Sequence, residues 1–201
     1  MKKILLAVTL VLCLCLVMMG CKRGKTVETL LQAEITENTT MVLKDGKLQS
    51  AIVESFDKEY YKEEDLKAYL EEQIAQHAKT AGEEAVKLES LEVKNKVAYA
   101  KFSYNSASNF STFNELEAYL LTKEEAKSDS RIPSTLLSAS EGKEVSKEEA
   151  LETKEYQVFM LNSPSETVIV NGEILYYANA TFVNENTVQA GQDGLTVVIF
   201  K

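Results

Sequence analysis

The chain contains 201 residues with a formal net charge of −9; 45% of the residues are hydrophobic and 26% are charged. This composition excludes a disordered chain, and the length allows a domain that buries its own core without a metal ion or a disulfide bond. The acidic excess argues against nucleic acid as a partner, because phosphate groups repel an acidic surface at long range.

The first twenty residues differ from the rest of the chain. Lys2 and Lys3 precede an uncharged, largely apolar run at 4–20, which is the layout of a secretory signal. The alternatives are an ordinary secreted protein and an uncleaved transmembrane anchor. Lys22 and Arg23, directly after the run, disfavour the anchor, because an N-in helix would then oppose the positive-inside bias.

The predicted signal ends in Val17-Met18-Met19-Gly20-Cys21, which resembles the lipobox of bacterial lipoproteins. Gly20 and Cys21 match that pattern, whereas Met18 stands where the family usually has Leu. The resemblance implies that Cys21 carries a diacylglycerol group, with palmitate-like chains, and that cleavage occurs just before it. It also implies a partner, the cell membrane, to which the lipid holds the protein on the extracytoplasmic face.

Cysteine usage agrees with this expectation. Cys13 and Cys15 lie inside the predicted signal and leave with it, so Cys21 alone remains and acylation consumes its thiol. An exported domain of this kind then has neither a disulfide framework nor a cysteine nucleophile. Loss of Lys2 and Lys3 with the signal lowers the net charge from −9 to −11.

We predict three segments in chain order. Residues 1–20 form the signal peptide, 21–38 form a lipidated tether, and 39–201 form one extracytoplasmic α+β domain. A subdivision of that domain near 106–150 is left open, because this stretch is the least regular part of the mature chain.

The domain is predicted to begin with an antiparallel sheet and one main helix, in the order β-β-α-β-β. Two β-rich runs flank Asp45-Gly46, and this dipeptide favours a hairpin turn because both residues tolerate positive φ. The helix is predicted over 61–81, where apolar residues recur every four positions behind an acidic first turn. Alternating runs at 86–93 and 97–104 predict a second hairpin.

The second half of the domain gives a weaker pattern. A helix is predicted over 113–126 and a Ser-rich loop over 128–147, followed by a short turn of helix that Ser146 caps. From residue 155 onward the chain is β-rich, and Asn171-Gly172 predicts a third hairpin. The predicted fold class is therefore α+β, an antiparallel β-sheet with one main helix followed by a β-rich C-terminal portion.

The stretch Ile52–Tyr61, followed by the acidic start of the predicted helix, is similar to a group of uncharacterised lipoproteins from Gram-positive gut bacteria. The similarity extends over roughly half of the chain. It implies no activity, cofactor or site residue, and it supports only the assignment to the cell envelope.

The sequence contains no recognisable catalytic constellation. His77 is the one histidine, and a histidine base needs a nucleophile and an orienting carboxylate, so we predict a helix-surface or boundary position for it. The Ser-x-x-Lys strings at Ser55 and Ser140 lack the companion motifs of penicillin-recognising enzymes. Zinc, calcium and phosphate-binding patterns are missing, so the sequence implies no metal and no cofactor.

One stretch is a candidate for ligand binding. Phe102–Asn114 carries no charge, and its aromatic rings alternate with Asn and Ser, which suits stacking on a ligand and hydrogen bonding to it. The interpretation that we favour is that these rings complete a core strand and pack the following turn. The candidate ligand-contacting residues are Tyr104, Asn109, Phe110 and Phe113.

These observations favour a non-enzymatic, membrane-tethered envelope protein whose partner is another envelope protein or a cell-wall component. One alternative is an envelope hydrolase with paired carboxylates, whose geometry a sequence does not reveal. The other is a solute-binding lipoprotein of a transporter, although the predicted elements do not form the two α/β lobes of a hinged clamp.

Overall fold

The computed structural model describes residues 29–30 and 35–201. The predicted signal at 1–20 and the predicted lipidation site, Cys21, lie outside the described residues, as does most of the predicted tether. The strands are β1 (Thr39–Val42), β2 (Leu48–Ser55), β3 (Val86–Lys94), β4 (Val97–Tyr104), β5 (Ala118–Leu121), β6 (Thr135–Ser138), β7 (Glu144–Ser146), β8 (Gln157–Leu161), β9 (Thr167–Val170), β10 (Ile174–Ala178), β11 (Ala180–Asn184), β12 (Thr187–Ala190) and β13 (Thr196–Phe200). The helices are α1 (Glu63–Ala81), α2 (Ala107–Asn114), α3 (Lys123–Ser128) and α4 (Lys147–Leu151).

The strands form two sheets. The first sheet has the order β11-β12-β9-β1-β2-β4-β3 and the second has the order β5-β8-β13-β10-β6-β7. Pairing is antiparallel except between β1 and β9, which are parallel. The predicted α+β class with one main helix and a β-rich C-terminal portion is confirmed, and the C-terminal portion contributes β9, β11 and β12 to the first sheet.

A central hydrophobic core joins the two sheets, since side chains from both belong to it. Strands β8 and β13 of the second sheet are buried on both faces, which explains their unbroken apolar sequences. Their other face packs with α3 and α4 in a second core, and a third core lies on the outer face of the first sheet around Leu30 and Ile35. The central core includes Val42, Leu48, Phe102, Tyr104, Phe159, Leu161, Val198 and Phe200.

Helix α1 lies beside the edge of the first sheet rather than inside the domain. None of its side chains is fully buried, and its contacts are mainly with β3. The apolar stripe predicted from the sequence packs partly against the central core through Leu70, Ile74 and Ala81. The helix begins at Glu63, two residues later than predicted, and ends at Ala81 as predicted; Gly82 caps it with a φ of 95°, in the region that glycine adopts readily.

The prediction of one helix over 113–126 is wrong. Ser106 caps α2 by accepting a hydrogen bond from the Asn109 amide, and Glu115 ends that helix with a left-handed φ of 53°. The next residues form β5, which pairs with β8, and Thr122 then starts α3 with a capping box. The predicted loop at 128–147 contains the short strands β6 and β7, whereas the predicted Ser146 cap is confirmed.

The predicted third hairpin at Asn171-Gly172 is also wrong, because the chain crosses there from one sheet to the other. Strand β9 pairs with β1 and β12, whereas β10 pairs with β13 and β6. The amide of Asn171 donates to Val42 at 2.8 Å, and that of Glu173 donates to Lys201 at 2.9 Å. A Cβ on Gly172 would lie 2.3 Å from the Lys201 carbonyl oxygen, so this glycine permits a close backbone approach.

We expect Gly172→Ala to lower the free energy of unfolding by about 1–3 kcal/mol, because the added methyl group has to displace the Lys201 backbone. Urea denaturation of the two proteins measures the change. The control is Glu173→Ala, which removes only an exposed ion pair with Lys201 and is expected to cost less than about 1 kcal/mol. Equal stability of Gly172→Ala and the parent chain would contradict the packing described here.

Candidate functional site

The four residues predicted to contact a ligand do not share one surface. Tyr104 and Phe110 are 1% and 2% exposed, and their rings meet edge to face in the central core with centroids 5.0 Å apart. Phe113 is half-buried, and its ring centroid lies 5.8 Å from that of Phe102. Tyr104 and Phe110 therefore offer no surface to a ligand, and ligand contact by Asn109 and Phe113 stays a prediction.

Tyr104 belongs instead to a buried polar cluster between the sheets. Its hydroxyl oxygen lies 2.9 Å from the Ser50 hydroxyl and accepts a hydrogen bond of 3.2 Å from the Asn114 amide. Glu166 accepts a hydrogen bond from Thr40 in the same interior. These contacts satisfy side chains that would otherwise be buried without partners, a costly arrangement in a core.

Burial perturbs both ionisable groups of this cluster. Desolvation raises the pKa of Tyr104 to about 12, and the neighbouring Glu166 carboxylate adds to the rise. Desolvation also raises the pKa of Glu166, although hydrogen bonds from Ser163 and Thr40 oppose the change. Tyr104 and Glu166 line none of the three surface cavities described below. The position of the cluster is therefore that of a structural part of the interior and not that of a surface binding site.

His77 lies at the boundary between α1 and α2. Its Nε2 atom is 3.2 Å from the Asn109 side-chain oxygen, and its ring meets Phe113 edge to face at 5.6 Å. His77 and Phe113 line a cavity of about 450 Å³ together with Tyr69. The histidine thus has an amide partner rather than a nucleophile. Within 29–30 and 35–201, no group of three or more His, Cys, Asp or Glu residues is arranged to hold a metal ion.

Three exposed tyrosines gather where β2 leads into α1. Tyr60, Tyr61 and Tyr69 are 74%, 42% and 57% exposed, and Val183 is the one other large hydrophobic side chain exposed in the described part of the chain. The Tyr61 ring lies 4.9 Å from both Phe56 and Tyr60. The three tyrosines line a cavity of about 370 Å³, which we name the aromatic cleft. Its walls include Phe56, Tyr60, Tyr61, Asp65, Leu66 and Tyr69.

Local structure accounts for the exposure of these rings. The Phe56 amide donates to the Lys96 carbonyl at 2.7 Å, which ties the end of β2 to the second hairpin. The chain then turns, with the Tyr61 amide donating to the Lys58 carbonyl at 3.1 Å. Helix α1 begins directly afterwards and carries Tyr69, which stays largely exposed. Sequence reasoning missed this site, although adjacent tyrosines inside a run of charged residues were a signal for it.

A wider groove runs along the other side of α1. It has a volume of about 860 Å³ and lies between α1 and β3, the edge strand of the first sheet. Its floor includes Ile74, Ala78, Val86 and Leu91, and its rim is mainly acidic. We name it the helix–strand groove; the charged residues that line it are Glu63, Lys67, Glu71, Glu83, Glu84, Lys87 and Glu89.

Comparisons with known proteins found no match: no family model, no curated protein and no solved structure matches the chain. Among the residues that the structure describes, no helix combines the length and the apolar character needed to cross a bilayer.

The raised pKa of Glu166 has a consequence for stability. Because its pKa in the folded protein lies above the ordinary value of 4.5, the folded state binds this proton more tightly than the unfolded chain does. The contribution of Glu166 to stability is therefore fully present below that value. It declines as the pH rises through the folded-state pKa, and it is constant at higher pH.

We expect Glu166→Gln to remove this decline, because an amide has no charge to desolvate and still offers an acceptor to Thr40. The free energy of unfolding of the variant minus that of the parent chain is expected to rise between about pH 4 and about pH 8. Urea denaturation at both pH values measures it, with the exposed Glu185→Gln as control. A difference that stays constant or falls with pH contradicts the buried position of Glu166.

Proposed function

We propose that this protein is a non-enzymatic, lipid-anchored binding protein of the cell envelope, and that the aromatic cleft is its binding surface. The observation that carries the proposal is the gathering of Tyr60, Tyr61 and Tyr69 in one exposed place. Lone exposed apolar residues are ordinary on a protein surface, whereas clustered ones mark interaction sites.

Tyrosine is well suited to such a surface. Its ring supplies a large contact area at a small cost in conformational entropy, and its hydroxyl keeps the free surface wetted. Phe56 and Tyr60 already flank Tyr61 with ring centroids at 4.9 Å, so these rings are partly pre-organised. A partner that covers them gains apolar burial without first having to order the site.

The shape of the cleft favours a macromolecule over a small solute. A site for a small molecule normally buries most of its ligand, whereas Tyr60 and Tyr69, which line this cleft, remain 74% and 57% exposed. Solute-binding proteins of transporters close two lobes around the ligand. The two sheets of this domain share one central core instead, so they do not form two separate lobes that could close around a solute. This architecture supports a partner of protein size.

The alternative of a hydrolase is less well supported. A general acid needs a raised pKa and access to the substrate. Burial raises the pKa of Glu166, as such an acid requires, but Glu166 is 8% exposed and lies in the central core. His77, at a cavity wall, has Asn109 as its hydrogen-bond partner. These placements favour binding over hydrolysis.

The lipid anchor is part of the same proposal, and the lipobox-like end of the signal supports it. The described chain enters the domain at Thr29, which donates a hydrogen bond to Gln49 at 2.9 Å, and at Leu30, which is 5% exposed. Lys101 donates to the Leu30 carbonyl at 2.6 Å. From Cys21 to Thr29 an extended chain spans at most about 28 Å, so the anchor would keep the domain close to the bilayer.

We expect Cys21→Ser to abolish lipidation and to release the protein from the membrane fraction, because serine has no thiol to acylate. Intact mass of the purified native protein and the distribution of both forms between membrane and supernatant measure this. The domain itself is expected to keep its thermal midpoint. A native mass that retains residues 1–20, or an unmodified thiol at Cys21, would rule out the anchor.

We expect the double variant Tyr60→Ala, Tyr69→Ala to lose envelope partners that the parent protein captures after cross-linking, because interface energy concentrates in such aromatic residues. The matched control is Val183→Ala, at the other exposed hydrophobic position, which is expected to capture the same partners as the parent chain. Quantitative mass spectrometry compares the three samples. Identical recovery by the double variant and the parent would remove the aromatic cleft from the proposal.

A further inference from the structure

We propose that the aromatic cleft binds lysine or arginine side chains presented by a protein partner. The inference rests on the binding function proposed above and names the chemistry of the partner. It joins two independent features of the surface, which are the exposed tyrosine faces and the charge of the segment that carries them.

The segment that forms the cleft is strongly acidic. Residues 54–65 contain six carboxylates and two lysines, and every residue among them is exposed except Phe56. Lys58 is engaged by Asp57 at 3.5 Å. Glu54 and Asp65 line the cleft itself, where Lys62 is the one basic residue. A basic partner is therefore attracted to this surface and an acidic partner is repelled.

The rings add an attraction that is specific for cations. The face of a tyrosine ring carries partial negative charge, so an ammonium or guanidinium group placed over it is stabilised, and more strongly once water is displaced. Tyr60 and Tyr69 expose most of their surfaces to solvent. Their faces are thus accessible to an incoming side chain, with the Asp65 carboxylate close enough to line the same cavity.

The domain already uses this combination elsewhere. The guanidinium carbon of Arg131 lies 3.7 Å from the centroid of the Tyr119 ring, while its Nε donates to Asp129 at 2.9 Å. One tyrosine and one carboxylate therefore hold one arginine side chain in place. The aromatic cleft contains the same two components, exposed tyrosine rings and the carboxylate of Asp65, on a surface open to a partner.

The acidic surface continues beyond the cleft, which favours a polypeptide over a single small cation. Glu63 follows Lys62 of the cleft and lines the helix–strand groove, whose rim carries Glu71, Glu83 and Glu84 farther along. A basic chain that inserts one side chain into the cleft therefore meets further exposed carboxylates at the start of α1, where Glu63 and Glu64 follow Lys62. A lone ammonium ion would leave these carboxylates uncovered.

The test measures binding of a fluorescent decapeptide of alternating Arg and Gly to the full mature chain by anisotropy, with a peptide of alternating Glu and Gly as the matched probe. We expect the Arg peptide to bind at least tenfold more tightly than the Glu peptide. The affinity is expected to fall at least tenfold in the variant Tyr60→Ala, Tyr69→Ala, since two exposed cation–ring contacts are lost. Tyr60→Phe, Tyr69→Phe retains the rings and is expected to stay within about threefold of the parent.

Charge is tested separately. The variant Glu54→Gln, Asp65→Asn is expected to weaken binding of the Arg peptide about fivefold or more and to reduce its dependence on salt. The control Glu185→Gln alters an exposed carboxylate at a distance in the sequence and is expected to bind like the parent. Circular dichroism confirms that each variant is folded.

Equal binding of the Arg and Glu peptides, or unchanged affinity after neutralisation of Glu54 and Asp65, overturns this inference. So does tyrosine-dependent binding to phosphatidylcholine vesicles in place of the Arg peptide. If Tyr60 and Tyr69 still govern capture of envelope partners in that case, the binding function stands and only the cationic chemistry is wrong. If they govern neither, both proposals are wrong.

Discussion

Strand β1 joins the two halves of this chain. It pairs with β2 on one side and with β9, more than a hundred residues later, on the other. All four of its residues are buried, with Met41 and Val42 at 0% exposure, because β1 lies between the central core and the core on the outer face. The first sheet is complete only when the C-terminal portion pairs with this strand. The hairpin of β3 and β4 lies on its other side, beyond β2, and α1 packs against β3.

Short sequence patterns predicted the local hairpins well, but they did not predict which strands pair over long distances in the chain. Asp45-Gly46 and the alternating runs around residue 95 form the expected hairpins, since a turn and its two strands are encoded within a few residues. Asn171-Gly172 has an equally good turn sequence, but β9 and β10 find better partners in different sheets. The predicted helix over 113–126 failed for the same reason, because β8 recruits residues 118–121 as a strand.

The candidate site shows a different limit of sequence reasoning. An uncharged stretch with aromatic residues, such as that around Tyr104 and Phe110, is what a core needs, and both rings are buried there. Aromatic rings that remain exposed need charged neighbours to keep their segment in water, and Tyr60 and Tyr61 have them on both sides. A search of a sequence for uncharged stretches with aromatic residues therefore finds segments of the core more readily than binding sites on the surface. Exposure itself depends on tertiary packing, which one sequence does not display.

The attachment of Leu30 determines where mechanical force enters the domain. Gln49 and Lys101, which hold Thr29 and Leu30, belong to β2 and β4, two interior strands of the first sheet. Tension applied to the chain ahead of Thr29 is therefore met first by these side-chain hydrogen bonds, which attach it to strands that are paired with neighbours on both sides. Helix α1 and the edge strand β3 lie outside the pair of strands that bears this tension.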